Sequence, residues 1–240
     1  YKRQMLGIKE WNLDTIMFSY LWSPFKWIGK KFQFLHSTVF VAVLLFTGLG
    51  FLALGYFSPT VVQTFGGILP LTLMSIALSV ILFSFSYRKS ALKAWIYLLT
   101  GHLFIIAAIL FNVPHVNFIE IIFYASGVLA AFMLGYYCLH KIKTIDNDIS
   151  LNKFHGYVYE EETTGFLFLL SAMGMLGFPL TAAFVGIDVL FTYVHNKQVA
   201  LIILMALCFV FIELAAFRIL LRVFFGPHKK LNHPVAFRSS

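Results

Sequence analysis

The chain has 240 residues, of which 60% are hydrophobic and 12% are charged, and its mean hydropathy is +0.85. Soluble domains are about 45–50% apolar and about 25% charged, so this composition excludes an ordinary soluble domain and predicts an all-α, polytopic membrane protein in a lipid bilayer. The net charge of +8 comes from basic residues between apolar runs, where they anchor loops and set topology, and it does not indicate nucleic-acid binding.

The first part of the chain differs from the rest. Between residues 8 and 33, apolar residues recur at spacings of three and four, and polar residues occupy the other faces. The apolar set is Leu13, Ile16, Met17, Tyr20, Leu21, Phe25, Ile28 and Phe32. We therefore predict that residues 1–35 form an amphipathic helix on the membrane surface or along partner helices.

Six apolar runs follow, each near the roughly 20 residues that a bilayer requires. They are residues 36–57, 66–86, 92–112, 118–139, 165–194 and 199–225. The fifth run is too long for one simple crossing, so we predict a helix broken around Gly177 and Pro179. The transmembrane domain is predicted to cover residues 36–227, followed by a basic polar tail at 228–240.

Six crossings place alternate loops on opposite sides of the membrane, and the basic residues fall almost entirely on one side. One side holds Lys26, Lys30, Lys31, Arg88, Lys89, Lys93, Lys141, Lys143, Lys153, Lys229, Lys230 and Arg238, whereas the other holds only Lys197. The positive-inside rule places the basic loops and the C-terminus in the cytoplasm.

The segment GFPLTAAFVGID, from Gly177 to Asp188, gives the reason for expecting a break. Pro179 lacks an N–H, and the glycines permit unusual backbone angles. Transporters use broken helices to place half-helix ends and a charged group at mid-membrane, so the segment is compatible with an ion pathway. A simple proline kink, which is common in membrane helices, remains the alternative.

Ionisable groups lie within the apolar runs, where charge costs at least about 2.5–3.5 kcal/mol; besides the basic residues near helix ends they are His102, Glu120, Asp188, Glu213 and Arg218. His102, Glu120, Asp188 and Glu213 are therefore candidates for a proton relay. Structural roles remain open: Glu213 and Arg218 could neutralise each other, Glu120 could lie at an interface, and His102 could hydrogen-bond a carbonyl.

Small residues at Gly127, Ala131 and Gly135 are spaced four apart, which favours close helix packing. Cys138 and Cys208 have no paired spacing, so neither a disulfide nor a metal site is predicted. Cys138 and His140 at one helix end are not a catalytic constellation. We expect no catalytic site, metal or cofactor in this chain.

Several motifs resemble the antiporter-like membrane subunits of respiratory complex I and the related Mrp-type cation/proton antiporters. They occur in the family's order, over roughly residues 66–227, and correspond to the second half of the family core. The matching segments are the 88–92 connection "RKSAL", the 148–156 loop "DISLNKFHG", the 177–188 segment and the 215–227 segment "AAFRILLRVFFGP".

The resemblance implies a proton-conducting subunit that works with partner subunits. Lys89 falls on the family's lysine at a helix junction, Asp188 on its acid and Arg218 on its arginine, so Lys89 and Arg218 are expected to tune charge. Ile187 and Gly127 stand where the family usually has lysines, so two central relay groups are missing.

Two hypotheses follow. The first is a half-length antiporter-like subunit of a proton-coupled complex that is complex I-like, Mrp-like or of the inorganic-carbon uptake type. Its membrane would be a bacterial inner membrane or an equivalent energy-coupling membrane. The second is a non-conducting structural or assembly subunit, for which the missing lysines and the small-residue packing argue.

Overall fold

The computed structural model describes residues 37–113, 117–179 and 181–226. The predicted amphipathic helix at 1–35 and the tail at 228–240 lie outside the described residues. The chain divides into two compact units, Tyr1–Leu44 and Leu45–Ser240. Of the first unit, the described part is Ser37–Leu44, which contains the beginning of the first helix.

Across the described residues the protein is all helical, with no strand, as the composition predicts. The helices are α1 (Thr38–Phe57), α2 (Pro59–Phe65), α3 (Leu69–Ser86), α4 (Ala91–Asn112), α5 (Phe118–Ile145), α6 (Glu162–Met175), α7 (Ala182–Thr192) and α8 (Val199–Val223), with a 3-10 turn at Tyr157–Tyr159. Within the described ranges, α1, α3, α4, α5 and α8 are long and apolar enough to cross a membrane, which indicates an integral membrane protein.

Two of the predicted boundaries need adjustment, and the predicted break is observed. The run 66–86 begins as a helix only at Leu69, because α2 and a turn precede it. The run 118–139 continues to Ile145, since its last turns are polar and extend beyond the apolar segment. The run 165–194 is two short helices, α6 and α7, so the predicted broken helix is confirmed.

Helix α4 is the centre of the second unit. It is apolar on all sides, and 94% of its most apolar 18-residue stretch is buried, as expected for a helix surrounded by others. Two hydrogen bonds tie it to neighbouring helices. The Trp95 indole donates to the Phe132 carbonyl at 3.0 Å, and the Ser84 hydroxyl donates to the Ala94 carbonyl at 2.7 Å.

The 146–161 connection is bound by main-chain hydrogen bonds to one end of the helices. Ile149 accepts from Ala91 and Leu151 donates to Arg88, so the connection lies against the α3–α4 turn. His155 donates to the carbonyl of Arg222 at 2.9 Å, near the end of α8. We call this the long-loop end, formed by residues 87–90, 146–161 and 222–226.

Helix α5 packs against both halves of the broken helix through its small residues. A methyl group added at Gly174 would lie 2.9 Å from the Ala131 side chain, and one at Gly135 would overlap the Ser171 hydroxyl. One at Gly127 would overlap the main chain of Ala183. The predicted small-residue ladder is therefore a close-packed helix seam.

The break begins where α6 ends at a glycine cap. Gly177 has φ +65°, in the left-handed region that favours glycine. Its N–H donates to the Gly174 carbonyl at 3.2 Å, and the Phe178 N–H donates to Met173 at 2.9 Å, the two bonds of a Schellman motif. Pro179 follows two residues after the cap, so glycine ends the helix and proline prevents its continuation.

Candidate functional site

His102 lies in the core on α4, fully buried, and pairs with Tyr124 of α5. The imidazole Nδ1 and the Tyr124 hydroxyl share a hydrogen bond of 2.6 Å. The other ring nitrogen, Nε2, is buried and has no hydrogen-bond partner among the described residues. The predicted alternative of a bond to a carbonyl is wrong, because a tyrosine hydroxyl 22 positions away is the partner.

The neighbours of this pair are close and mostly apolar. Tyr124 lies directly against Gly186 of α7, where an added methyl group would be 2.6 Å from the Tyr124 Cα. Cys208 of α8 is also buried, and its sulfur lies 4.0 Å from the Met74 sulfur. The His102–Tyr124 pair is therefore a polar contact enclosed by packed helices, with no ionisable neighbour bonded to it.

Asp188 lies on the outward face of α7. It is exposed, and the exposed side chains one turn before and after it on the same face are Phe184 and Phe191. No hydrogen bond or ion pair joins Asp188 to another described residue. The acid of the broken helix therefore faces away from the core of this chain.

Glu213 has the same character on α8. It is exposed fifteen residues into a helix of 25 residues, and Val210 and Leu214 beside it are exposed too. It makes no ion pair within the part of the chain that the structure describes. The predicted pairing with Arg218 is absent there, because the Arg218 guanidinium lies 5.5 Å from the centre of the Phe85 ring instead.

Helices α7 and α8 meet near these two carboxylates. The rings of Phe191 and Phe209 are 5.8 Å apart. Asp188 precedes Phe191 by three residues and Glu213 follows Phe209 by four, and each spacing is about one helical turn.

Glu120 belongs to a separate polar cluster at the other end of the helices. It lies in the first turn of α5, where it accepts hydrogen bonds from the Tyr193 hydroxyl and from Asn117. Asn112 and Gln198 exchange side-chain hydrogen bonds of 2.8 and 3.1 Å beside it. We call this the short-loop end. The prediction that Glu120 could lie at an interface fits this position, and burial together with the Glu120 bond raises the pKa of Tyr193.

An open cavity of about 280 Å³ adjoins the short-loop end. Its lining combines apolar groups with two amides and one lysine: Gly66, Gly67, Pro70, Leu71, Asn112, Lys197, Gln198, Val199, Ala200 and Leu201. It lies at a helix end, and none of the four predicted relay residues lines it.

Packed side chains and main chain occupy the two positions where the family resemblance expects lysines. Gly127 leaves no room for a side chain, because the main chain of Ala182 and Ala183 lies directly against it. The Ile187 side chain lies against Gly177 at the glycine cap, so it fills the space beside the break. The interior next to the broken helix is therefore closed by small and apolar residues.

Charged groups cluster at the long-loop end. Lys89 is exposed in the α3–α4 turn, and Lys141 contacts Glu161 at 2.5 Å. The Lys153 ammonium, 2.6 Å from Asp148, and the Ser150 N–H hold the pKa of that carboxyl at about 2. The Lys141 bond likewise lowers the pKa of Glu161. Lys89 and Arg218, predicted to tune charge together, do not contact each other in the described structure.

The four predicted relay residues are thus not brought together in one site. His102 is inside, Asp188 and Glu213 are outside, and Glu120 is at the short-loop end. Tyr124 and Tyr193, which bond two of these groups, were missed. Both tyrosines lie in or beside apolar segments. A buried tyrosine hydroxyl needs a hydrogen-bond partner, so the sequence could have indicated that each would bond a nearby polar group.

The described residues contain no group of three or more His, Cys, Asp or Glu side chains that could hold a metal ion. The family resemblance finds no support from other proteins, because no protein-family model, curated protein or solved structure matches the chain. It stays a prediction from the motifs alone.

Proposed function

We propose that this chain is a membrane-embedded subunit of a proton-coupled complex, and that it contributes Asp188 and Glu213 to a proton path along its border with a partner subunit. The single observation that carries the proposal is the exposure of both carboxylates on apolar helix faces, without partners among the described residues. The antiporter-like motifs of the sequence are consistent with it.

Membrane energetics support a role for these carboxylates. An acid at the centre of a spanning helix costs about 2.5–3.5 kcal/mol on insertion scales, so two such groups require compensation. Carboxyls in a membrane interior exchange protons with a neighbouring base or water, and they mark ion pathways in many membrane proteins. A border with a partner subunit would provide both compensation and a path.

The closed interior argues against a complete path inside this chain. Gly127 and Ile187 occupy the positions where the family resemblance expects lysines, and both are taken up by packing. Among the described residues, His102 is hydrogen-bonded through its side chain to Tyr124 alone. A proton that crossed beside the broken helix would therefore pass on the outside of α7 and α8.

The long-loop end is proposed to face the cytoplasm of an energy-coupling membrane. It brings together basic residues of three connections: Arg88, Lys89, Lys153 and Arg222. The positive-inside rule favours the cytoplasm for such an end.

The test is proton flux by the complex, purified from its own membrane and reconstituted in vesicles with a pH-sensitive dye. We expect D188N together with E213Q to reduce flux at least tenfold while the complex stays assembled. Glu162→Gln is the matched control, since it removes an exposed acid at the beginning of α6 and should leave flux unchanged. Unchanged flux in the double variant would refute the proposal.

A non-conducting assembly subunit is the second candidate, and the closed seam at Gly127 and Ile187 favours it. On this alternative the double variant lowers the amount of assembled complex, whereas the flux per assembled complex keeps its original value. Quantifying both on the same preparation separates the two functions.

A further inference from the structure

The outward face of α8 carries a regular stripe of large apolar residues. Exposed side chains recur with alternating spacings of four and three: Ile203, Leu207, Val210, Leu214, Phe217 and Leu221. Such spacing repeats every seven residues, the a/d pattern of a helix that packs lengthwise against another helix. The exposed face of any α-helix has this spacing, so the stripe marks the side that α8 turns away from the described chain. Lipid would satisfy its apolar residues but offers nothing to a charged group.

Glu213 occupies a defined place beside this stripe. If Val210 and Phe217 are d positions and Leu214 is an a position, Glu213 falls at g. The e and g positions flank a helix–helix seam and hold the side chains that form ion pairs with the partner helix. The carboxylate therefore lies where a partner helix would present an opposite charge.

Helix α7 continues the surface with a second acid. Phe184, Asp188 and Phe191 follow one another at spacings of four and three and are all exposed. The Phe191–Phe209 ring contact joins this face to α8. Each of the two helices thus exposes one carboxylate among apolar side chains, about one helical turn from this contact.

We propose that the exposed stripe of α8 binds one transmembrane helix of a different subunit, and that this helix carries a lysine or arginine opposite Glu213. Charge complementarity decides the occupant, because neither acid has a cation among the described residues and neither would remain charged against lipid. The inference rests on the proposed function for the existence of a partner, and it adds the position and chemistry of that partner.

The test is photo-crosslinking in native membranes with p-benzoylphenylalanine at Leu214. Met133, an exposed apolar residue on α5 outside the stripe, is the matched control position. We expect a strong adduct at Leu214, absent at Met133, whose peptide sequence identifies an apolar helix with a central Lys or Arg. Glu213→Lys should abolish the adduct, and exchanging the partner's basic residue for Glu in the same cells should restore it.

Other outcomes overturn the inference. An adduct with lipid only, with a second copy of this chain, or with residues 1–36 of this chain names a different occupant. A partner peptide without a basic residue refutes the charge pairing. The crosslinking readout is independent of proton flux. If the expected adduct forms but flux does not change when both acids are replaced, only the proposed function is refuted. Acid-dependent flux without the adduct refutes this inference alone.

Discussion

Replacing Gly127 by alanine tests the close packing of α5 against the second half of the broken helix. The added methyl group would lie 3.0 Å from the carbonyl carbon of Ala182 and closer still to the main-chain nitrogen of Ala183. These are backbone atoms of α7, so no side chain can rotate away. The two helices must separate, which loosens the seam that closes the interior.

The magnitude follows from two opposing terms. Overpacking a well-packed site costs about 1–3 kcal/mol, and replacing glycine by alanine in a helix returns roughly 0.5–1 kcal/mol. We expect a net loss of about 1–2 kcal/mol. At about 2–4 °C per kcal/mol for a chain of this size, the unfolding temperature should fall by about 2–8 °C. Gly50→Ala on α1 is the control, because nothing lies within 4 Å of an added methyl group and stability should hold or rise.

Unfolding can be followed through the two cysteines of the sequence, Cys138 and Cys208. Both are free and buried, so a thiol-reactive fluorogenic dye reports them only as the packing opens. If Gly127→Ala melts at the temperature of Gly50→Ala or above, the seam is not packed as described. Adding Ala183→Gly should not restore stability, since the contact is with the main chain; recovery would contradict that assignment.

Three further outcomes are expected. Tyr124→Phe leaves both nitrogens of buried His102 without a partner, so it should lower the free energy of unfolding by about 1–3 kcal/mol in the same melting assay. Tyr137→Phe, on the exposed face of α5, is the control and should change stability little. Gly177→Ala forces a side chain into the left-handed region and should cost at least about 1 kcal/mol, measured against Gly50→Ala; equal melting would disprove the glycine cap. Asp148 has its pKa lowered to about 2, below its unfolded value of about 3.9, so its stabilisation of the 146–161 connection is complete above about pH 4 and is lost as the pH falls towards 2. Hydrogen-exchange protection of that connection, corrected for intrinsic rates, should fall over this interval, and Asp148→Asn should remove the fall.

Much of the fold could be predicted because hydropathy determines which segments are helices of membrane length. The break was also predictable from GFPLT, although the structure assigns the termination to Gly177 and a lesser part to Pro179. The small-residue ladder on α5 predicted a packing seam but not its partners. Those partners lie about 40 residues or more away in the sequence, and spacing within one helix carries no information about them.

The candidate site was less predictable, because intramembrane position alone does not tell which way a side chain points. Glu213 illustrates the reason. Its neighbour Ile212 and, three residues on, Ala216 are fully buried, whereas Glu213 itself is exposed. One residue of helix is about 100° of rotation, so a helix packed along one face turns adjacent residues to different environments. Only the packing of α8 decides which of them meets the core.

The same packing bears on the proposed function, because the two positions where the family resemblance expects lysines lie at this seam. A lysine at position 127 would require α5 and α7 to separate, and one at 187 would enter the space beside the glycine cap at Gly177. Close helix packing and an internal path of charged groups therefore exclude each other at this seam, and the seam of this chain is closely packed. On the proposed function, the acids in apolar surroundings exchange protons at the outer surface of α7 and α8, because the seam beside the break is closed. A charge at that surface needs a counter-charge from outside the described chain, so the proposed path through Asp188 and Glu213 requires a basic group from a partner subunit.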